Sequence, residues 1–199
     1  IYVGTGETYT KIQLAINAAT DGDIVVIRDG TYAGAGNKNL KLNGKNIAVV
    51  SENGAEYVTI DCENEGRGFY FDSYDVSSTV TIQGITIENA LLGPVECAHD
   101  NCSPVFDEMV FRSNSAPMKI SGVGSSVLII NSMFISNMVE QHGGALFVDS
   151  NAALNIERTS FSYNNADYSG AYGGAIYTKG TVVVNNSDFY KNKAQKGGD

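Results

Sequence analysis

The densest run of side chains that could do chemistry is Asp61-Cys-Glu63-Asn-Glu65-Gly-Arg67, with Asp72 and Asp75 one strand further on. Carboxylates are hard oxygen ligands, and Asp61, Glu63, Glu65 and Asp72 at this spacing could hold Ca²⁺. The competing reading is a solvated acidic corner that binds nothing. Later acidic residues, Asp149, Glu157, Asp167 and Asp188 among them, share no repeat position, so they form no column of carboxylates along a groove.

Three cysteines complete the reactive inventory: Cys62, Cys97 and Cys102. Cys97-Ala-His-Asp-Asn-Cys102 could close a small loop disulfide, which suits an oxidising, extracellular setting. A zinc site would need His99 and His142 beside these thiols, and a four-ligand set lacks a second close pair. Cys62 follows a strand and reads as a small buried hydrophobe. His142, before Gly143-Gly144, reads as a corner side chain. Tyr163, Tyr168, Tyr172, Tyr177 and Tyr190 gather near the C-terminal end. Exposed tyrosines stack on sugar rings or anchor protein contacts, and Tyr168 and Tyr172 are the candidates to face a ligand. Asn101-Cys-Ser103 and Asn185-Asn-Ser187 match the glycosylation sequon, which matters only in a eukaryotic secretory pathway.

The elements that must position these residues announce themselves as a repeat. An apolar residue, a second apolar residue five on, and an Asn three further recur as Phe106…Phe111…Asn114, Ile129…Phe134…Asn137, Ile156…Phe161…Asn164 and Val184…Phe189…Asn192. Ile82…Ile87 precedes them, with Ala90 at the Asn place. The second apolar positions lie 24, 23, 27 and 28 residues apart, counted from Ile87. Val80-Thr-Ile82, Val127-Leu-Ile129 and Val182-Val-Val184 are short β-branched strands bounded by turn residues. Strands this short cannot bury a face alone. Wound as a coil, each pairs with the coils above and below, and the apolar positions stack inside. The expectation is one all-β domain over 1–199: a right-handed parallel β-helix, or solenoid, of about seven coils. Phe111, Phe134, Phe161 and Phe189 form its core stack. Asn114, Asn137, Asn164 and Asn192 form a hydrogen-bonded corner ladder, with Asn supplying the left-handed backbone that a corner needs.

Residues 1–23 read as an N-terminal strand and the only helix. Ile12, Ile16 and Ala19 make its face, Thr8 or Thr10 caps its start, and Gly22 ends it. This helix covers the open end of the first coil. Residues 24–90 read as regular early coils with a period of 22, aligning Val25, Ile47 and Phe69, and Val58–Ile60 with Val80–Ile82. Residues 91–105, which hold two of the three prolines and two of the three cysteines, read as a loop excursion from the coil. Residues 106–199 are the Asn-bearing coils, and Gly197-Gly198-Asp199 looks like a strand cut in mid-coil, where further coils or domains would stack.

The Phe-x-x-Asn units, with Gly143-Gly-Ala-Leu and Gly173-Gly-Ala-Ile after them, resemble the polymorphic outer-membrane protein repeat of chlamydial and other surface adhesins. The first unit departs from it, with Ala116-Pro-Met-Lys-Ile120 in place of Gly-Gly-Ala-Ile. The N-terminal run of Ala-Ile-Asn-Ala-Ala, Gly-Asp-Ile-Val-Val and Asp-Gly-Thr-Tyr resembles the opening of pectin-lyase-like β-helices. The first resemblance implies a surface adhesin or stalk, contacting cell-surface proteins or glycans; repeated structural residues with no convergent catalytic set make it a non-enzymatic one. The second implies the alternative, a polysaccharide lyase or glycoside hydrolase working through residues 61–75. Such enzymes carry clustered Asp with Arg or Lys, and sometimes Ca²⁺.

Composition bounds both readings. Net charge is −9 with no basic stripe, which argues against nucleic acid as a partner. No apolar run reaches the roughly 20 residues needed to span a bilayer. Ile1 is neither an initiator Met nor the start of a signal peptide, so an extracellular or cell-surface chain would be a mature or trimmed fragment. No cofactor is expected beyond the Ca²⁺ candidate.

Overall fold

The computed structural model describes residues 1–72 and 80–196; Asp75 and Gly197–Asp199 lie outside the described residues. The chain winds as a right-handed parallel β-helix of about seven turns. A first sheet of eight strands stacks Tyr2–Val3, Ile24–Ile27, Ala48–Ser51, Thr81–Gln83, Val105–Asp107, Ser126–Ile130, Ala153–Glu157 and Thr181–Asn185. A second of seven strands runs from Gly30–Tyr32 through Val58–Glu65, Thr86–Ala90, Val110–Arg112, Met133–Ile135 and Ser160–Ser162 to Asp188–Tyr190. A third of five strands stacks Phe69–Phe71, Val95–Cys97, Met118–Ile120, Leu146–Val148 and Ile176–Thr178. A small fourth sheet joins Met138–Val139, Asn165–Ala166 and Lys193–Ala194.

Alternation explains the strands. In Ser126–Ile130 and Ala153–Glu157, every second side chain (Val127 and Ile129; Leu154 and Ile156) points into the core. The phenylalanines stack along the axis. Ring centroids are 4.6 Å apart for Phe111 and Phe134, 4.9 Å for Phe134 and Phe161, and 4.8 Å for Phe161 and Phe189. That is the strand spacing itself, so the column is a product of register. Phe189 completes the stack yet is 49% exposed, because no described residue covers its outer face.

The corner after each of these phenylalanines carries the asparagines. Asn137 Nδ2 donates to Phe111 O at 3.0 Å and to Asn164 Oδ1 at 2.8 Å; Asn164 repeats this with Phe134 O and Asn192 Oδ1. Each Oδ1 also accepts the backbone N–H of the Asn in the preceding coil, and Asn114 Oδ1 accepts that of Ala90. The left-handed backbone falls one residue earlier than expected, on Ser113, Ser136, Tyr163 and Lys191, with φ from 52° to 57°. The asparagines are there to bond the coils, and the strained conformation is carried by neighbours of unrelated type.

Several expectations are corrected. The period of 22 fails: Val25 pairs with Val49, Val49 with Ile82, and Ile60 with Ile87. Val58–Ile60 and Val80–Ile82 therefore lie on different sheets, and the matching hydrophobic triplets were a coincidence of composition. Residues 91–105 are no excursion. Val95–Cys97 is a strand of the third sheet, paired with Phe69–Phe71 and Met118–Ile120. The helix is shorter, Ile12–Ala18, with Lys11 at its N-cap and Ala19 at its C-cap. Neither threonine caps it. Asn37, a coil later, accepts the Ile12 N–H at 2.9 Å, so the cap is tertiary. Ile12, Ala15 and Ile16 close the first coil against Val3 and Val25.

Candidate functional site

The acidic run does not assemble into an open cation cage. Lys38 Nζ lies 2.7 Å from Glu63 Oε2 and 2.6 Å from Glu65 Oε2. The ammonium, with a hydrogen bond from the Gly34 N–H, holds the Glu63 carboxyl below the ordinary carboxylate range. Asp61 Oδ1 accepts from Asn89 Nδ2 at 3.0 Å and from the Glu63 N–H at 2.8 Å. Asp72 pairs with Lys41. No group of three His, Cys, Asp or Glu placed to hold a metal occurs among the described residues. Arg67, which the sequence places in this run, turns onto another face.

That face is the outer surface of the third sheet. Its strands are three residues long, and in the first four the flanking side chains are inward, so the middle residue points out. The register aligns Tyr70, Glu96, Lys119, Phe147 and Tyr177 in one column. Glu96 is only 8% exposed. Its carboxylate lies 2.5 Å from Arg67 Nη2 and 3.4 Å from Lys119 Nζ, one cation from each side. The short Arg67–Glu96 approach is an ion pair without hydrogen-bond alignment, and the buried Arg67 Nε also lacks a hydrogen bond. Buried polar atoms seldom go unpartnered, so this wall retains hydrogen-bonding capacity. The Arg67 guanidinium sits 4.8 Å from the Tyr70 ring centroid, and Lys179 Nζ 5.7 Å from that of Phe147.

The column ends in an aromatic strip. Phe147 and Tyr177 have centroids 5.5 Å apart, and His142 stacks on Tyr177 at 4.6 Å and approaches Tyr172 at 5.6 Å. The Tyr172 N–H donates to His142 Nδ1 at 3.0 Å, which places the proton of the neutral ring on Nε2. The Gly-Gly pairs make this corner possible. Gly143 adopts φ +76°, and a Cβ on Gly144 would meet Gly174 O at 2.0 Å, so only glycine lets the two coils close there. A groove of about 310 Å³ opens at the charged end of the column, lined by Arg67, Leu92, Glu96, Lys119, Phe147 and Asp149, with the His142, Tyr172 and Tyr177 rings outside its lining. Such a surface can stack a planar or pyranose-like face on the rings and bond its polar substituents at the charged end.

Of the two tyrosines expected to face a ligand, Tyr172 joins this strip. Tyr168 is exposed at the neighbouring turn, where its carbonyl accepts the Ala171 N–H. Sequence reading missed Glu96, Lys119 and Phe147; the signal was the middle position of the short apolar strands Val-Glu-Cys, Met-Lys-Ile and Leu-Phe-Val. It also missed a second ladder of hydroxyls, in which Ser132 Oγ, Thr159 Oγ1 and Ser187 Oγ accept the N–H of Met109, Ser132 and Thr159. All three cysteines are buried thiols.

Known proteins match this chain in three ways. Residues 158–179 match the Chlamydia polymorphic membrane protein (Chlamydia_PMP) repeat. Over 165 residues, 75% of the chain, it is 29% identical to a protein of Escherichia coli (strain K12) described as a probable autotransporter, YfaL, and it spans 12% of that protein's length. The crystal structure of the pectin methylesterase from Aspergillus niger superposes with a TM-score of 0.51 at 13% identity, covering 97% of this chain and 86% of that one. This last likeness is one of fold.

Proposed function

We propose that this chain is a segment of a cell-surface β-helix that works by binding rather than turnover, as an adhesin-like stalk whose third-sheet groove contacts glycans. The observation that carries this reading is the outward column itself. An aromatic strip of Phe147, Tyr177, His142 and Tyr172 lies beside Glu96, Arg67 and Lys119, which is the pairing of stacking surface and directed polar groups that sugars require. Likeness to a probable autotransporter and to the polymorphic membrane protein repeat supports a place at the cell surface. Among the described residues, no helix is long and apolar enough to cross a membrane. The repeat residues serve architecture: phenylalanines in the core and asparagines between coils. Glu63, Glu65 and Asp72 are engaged by Lys38 and Lys41, and Asp61 by Asn89, which weighs against the polysaccharide-cleaving alternative.

The test is a glycan array that includes polyuronates, with and without Ca²⁺, read for retention and for release of cleaved product. Retention without turnover is expected. Phe147→Ala with Tyr177→Ala removes two stacking rings from partly exposed positions, and should weaken retention at least about tenfold while leaving the fold intact, since each ring–sugar contact is worth on the order of 1 kcal/mol. Turnover at enzyme-like rates would overturn the reading.

A further inference from the structure

The sequence flags Cys97 and Cys102, and the groove uses neither. They bracket the corner that leads from the third sheet to the first. In the third-sheet register, Cys97 occupies the inward column filled by Phe71 in the coil before and Ile120 in the coil after. The corner is tied to the next coil along its length. Ser121 N–H donates to Cys97 O at 2.9 Å, Asn101 N–H to Val123 O at 2.9 Å, and Cys102 N–H to Ser125 Oγ at 3.1 Å. Cys97 to Cys102 thus spans the same number of residues as Ile120 to Ser125, and the corner is a regular one. Both cysteine side chains are fully buried, in the one core cluster that also holds Phe71 and Ile120. Where the next coil places Ile120 and Ser125, this coil places two buried thiols, one at each end of the corner. Cys62 sits apart, on the second-sheet strand Val58–Glu65.

We propose that Cys97 and Cys102 form a disulfide within one coil when the chain folds in an oxidising medium, leaving Cys62 as the free thiol. The oxidant is a low-molecular-weight disulfide. One cysteine thiolate attacks it, forming a mixed disulfide and releasing one thiol; the second cysteine thiolate then displaces the other half. Two protons and two electrons leave the pair, and the external disulfide is reduced to two thiols. Burial dictates the timing. The Cys97 thiol is pushed up by loss of solvent, so exchange belongs to folding, before the corner packs. Once formed, the bridge is shielded from reductant. Because Cys97 follows Glu96 directly, the bridge also fixes the strand that presents the groove's carboxylate. The proposal does not rest on glycan binding.

The experiment refolds the full chain carrying Cys62→Ala with oxidised glutathione or with dithiothreitol, checks the far-ultraviolet dichroism, then denatures, alkylates with N-ethylmaleimide and records the intact mass. No maleimide is expected after oxidising refolding, and two after reducing refolding. The oxidised protein should also resist dithiothreitol until denaturant is added. Two maleimides, or glutathione on both cysteines, in a natively folded oxidised sample would overturn the proposal. If Cys62→Ala does not fold, the wild-type chain gives the same answer, with one maleimide expected against three and that label mapped to Cys62 by peptide digestion; a label on Cys97 or Cys102 would overturn the proposal.

Discussion

Phe134→Ala is expected to cost about 3–5 kcal/mol, the largest loss from a single substitution in this chain. Phe134 is fully buried, stacked on Phe111 below and Phe161 above. Truncation removes the transfer free energy of the ring and leaves a void between two coils whose separation is fixed by backbone pairing on both sides. The coils cannot collapse into it without breaking those hydrogen bonds, so the cavity contribution stays near its maximum. Phe189→Ala removes the same ring from a half-exposed position and should cost on the order of 1 kcal/mol. Urea unfolding of the two variants measures the contrast. Since each coil touches only its neighbours, Phe134→Ala should speed amide exchange over 111–161 more than over 24–60. Equal losses for the two variants would place the stabilising interaction outside the stack.

Asn137→Ala is expected to cost about 2–4 kcal/mol, well above the roughly 1 kcal/mol of an ordinary hydrogen bond. The side chain is 2% exposed and serves both neighbouring coils. Its Oδ1 accepts from Asn114 N and Asn114 Nδ2, both at 3.0 Å, and its Nδ2 donates to Phe111 O and Asn164 Oδ1. Truncation strands the Asn114 N–H and the Phe111 side of the corner in the interior, where water cannot replace the lost partner. Asn137→Asp keeps the acceptor but sets a carboxylate against the Phe111 carbonyl and Asn164 Oδ1. At neutral pH it should be at least as damaging as Ala. Stability of Asn137→Asp close to that of the wild type would show that the donor half of the ladder contributes little.

The scaffold was legible where chemistry repeats. Phe and Asn recur because stacking and corner bonding each demand one residue type, so the coils from Ile82 onward could be counted and their core drawn from spacing alone. The early coils could not, because Val, Ile and Thr triplets look the same on any sheet. Only pairing showed that Val49 meets Ile82 and that Val58–Ile60 belongs elsewhere. The helix cap failed for a related reason, as its acceptor, Asn37, comes from the next coil. The groove was hardest to see. Its outward column joins one residue each from distant strands, Tyr70, Glu96, Lys119, Phe147 and Tyr177, and no single type or charge repeats from coil to coil. A dense local run such as 61–67 attracts attention, yet its carboxylates find Lys38 and Asn89 on the adjacent coils. Arg67, the last of that run, goes to the groove instead.

The central claim is that the working face of this β-helix is the outer surface of the third sheet. Amide hydrogen exchange with and without a glycan retained on the array tests it most directly. The account predicts added protection confined to 67–70, 92–97, 117–119, 141–148 and 172–178, lost when Phe147 and Tyr177 are both replaced by alanine. Protection centred on 61–65, with the third sheet unchanged, would contradict it and return function to the acidic corner.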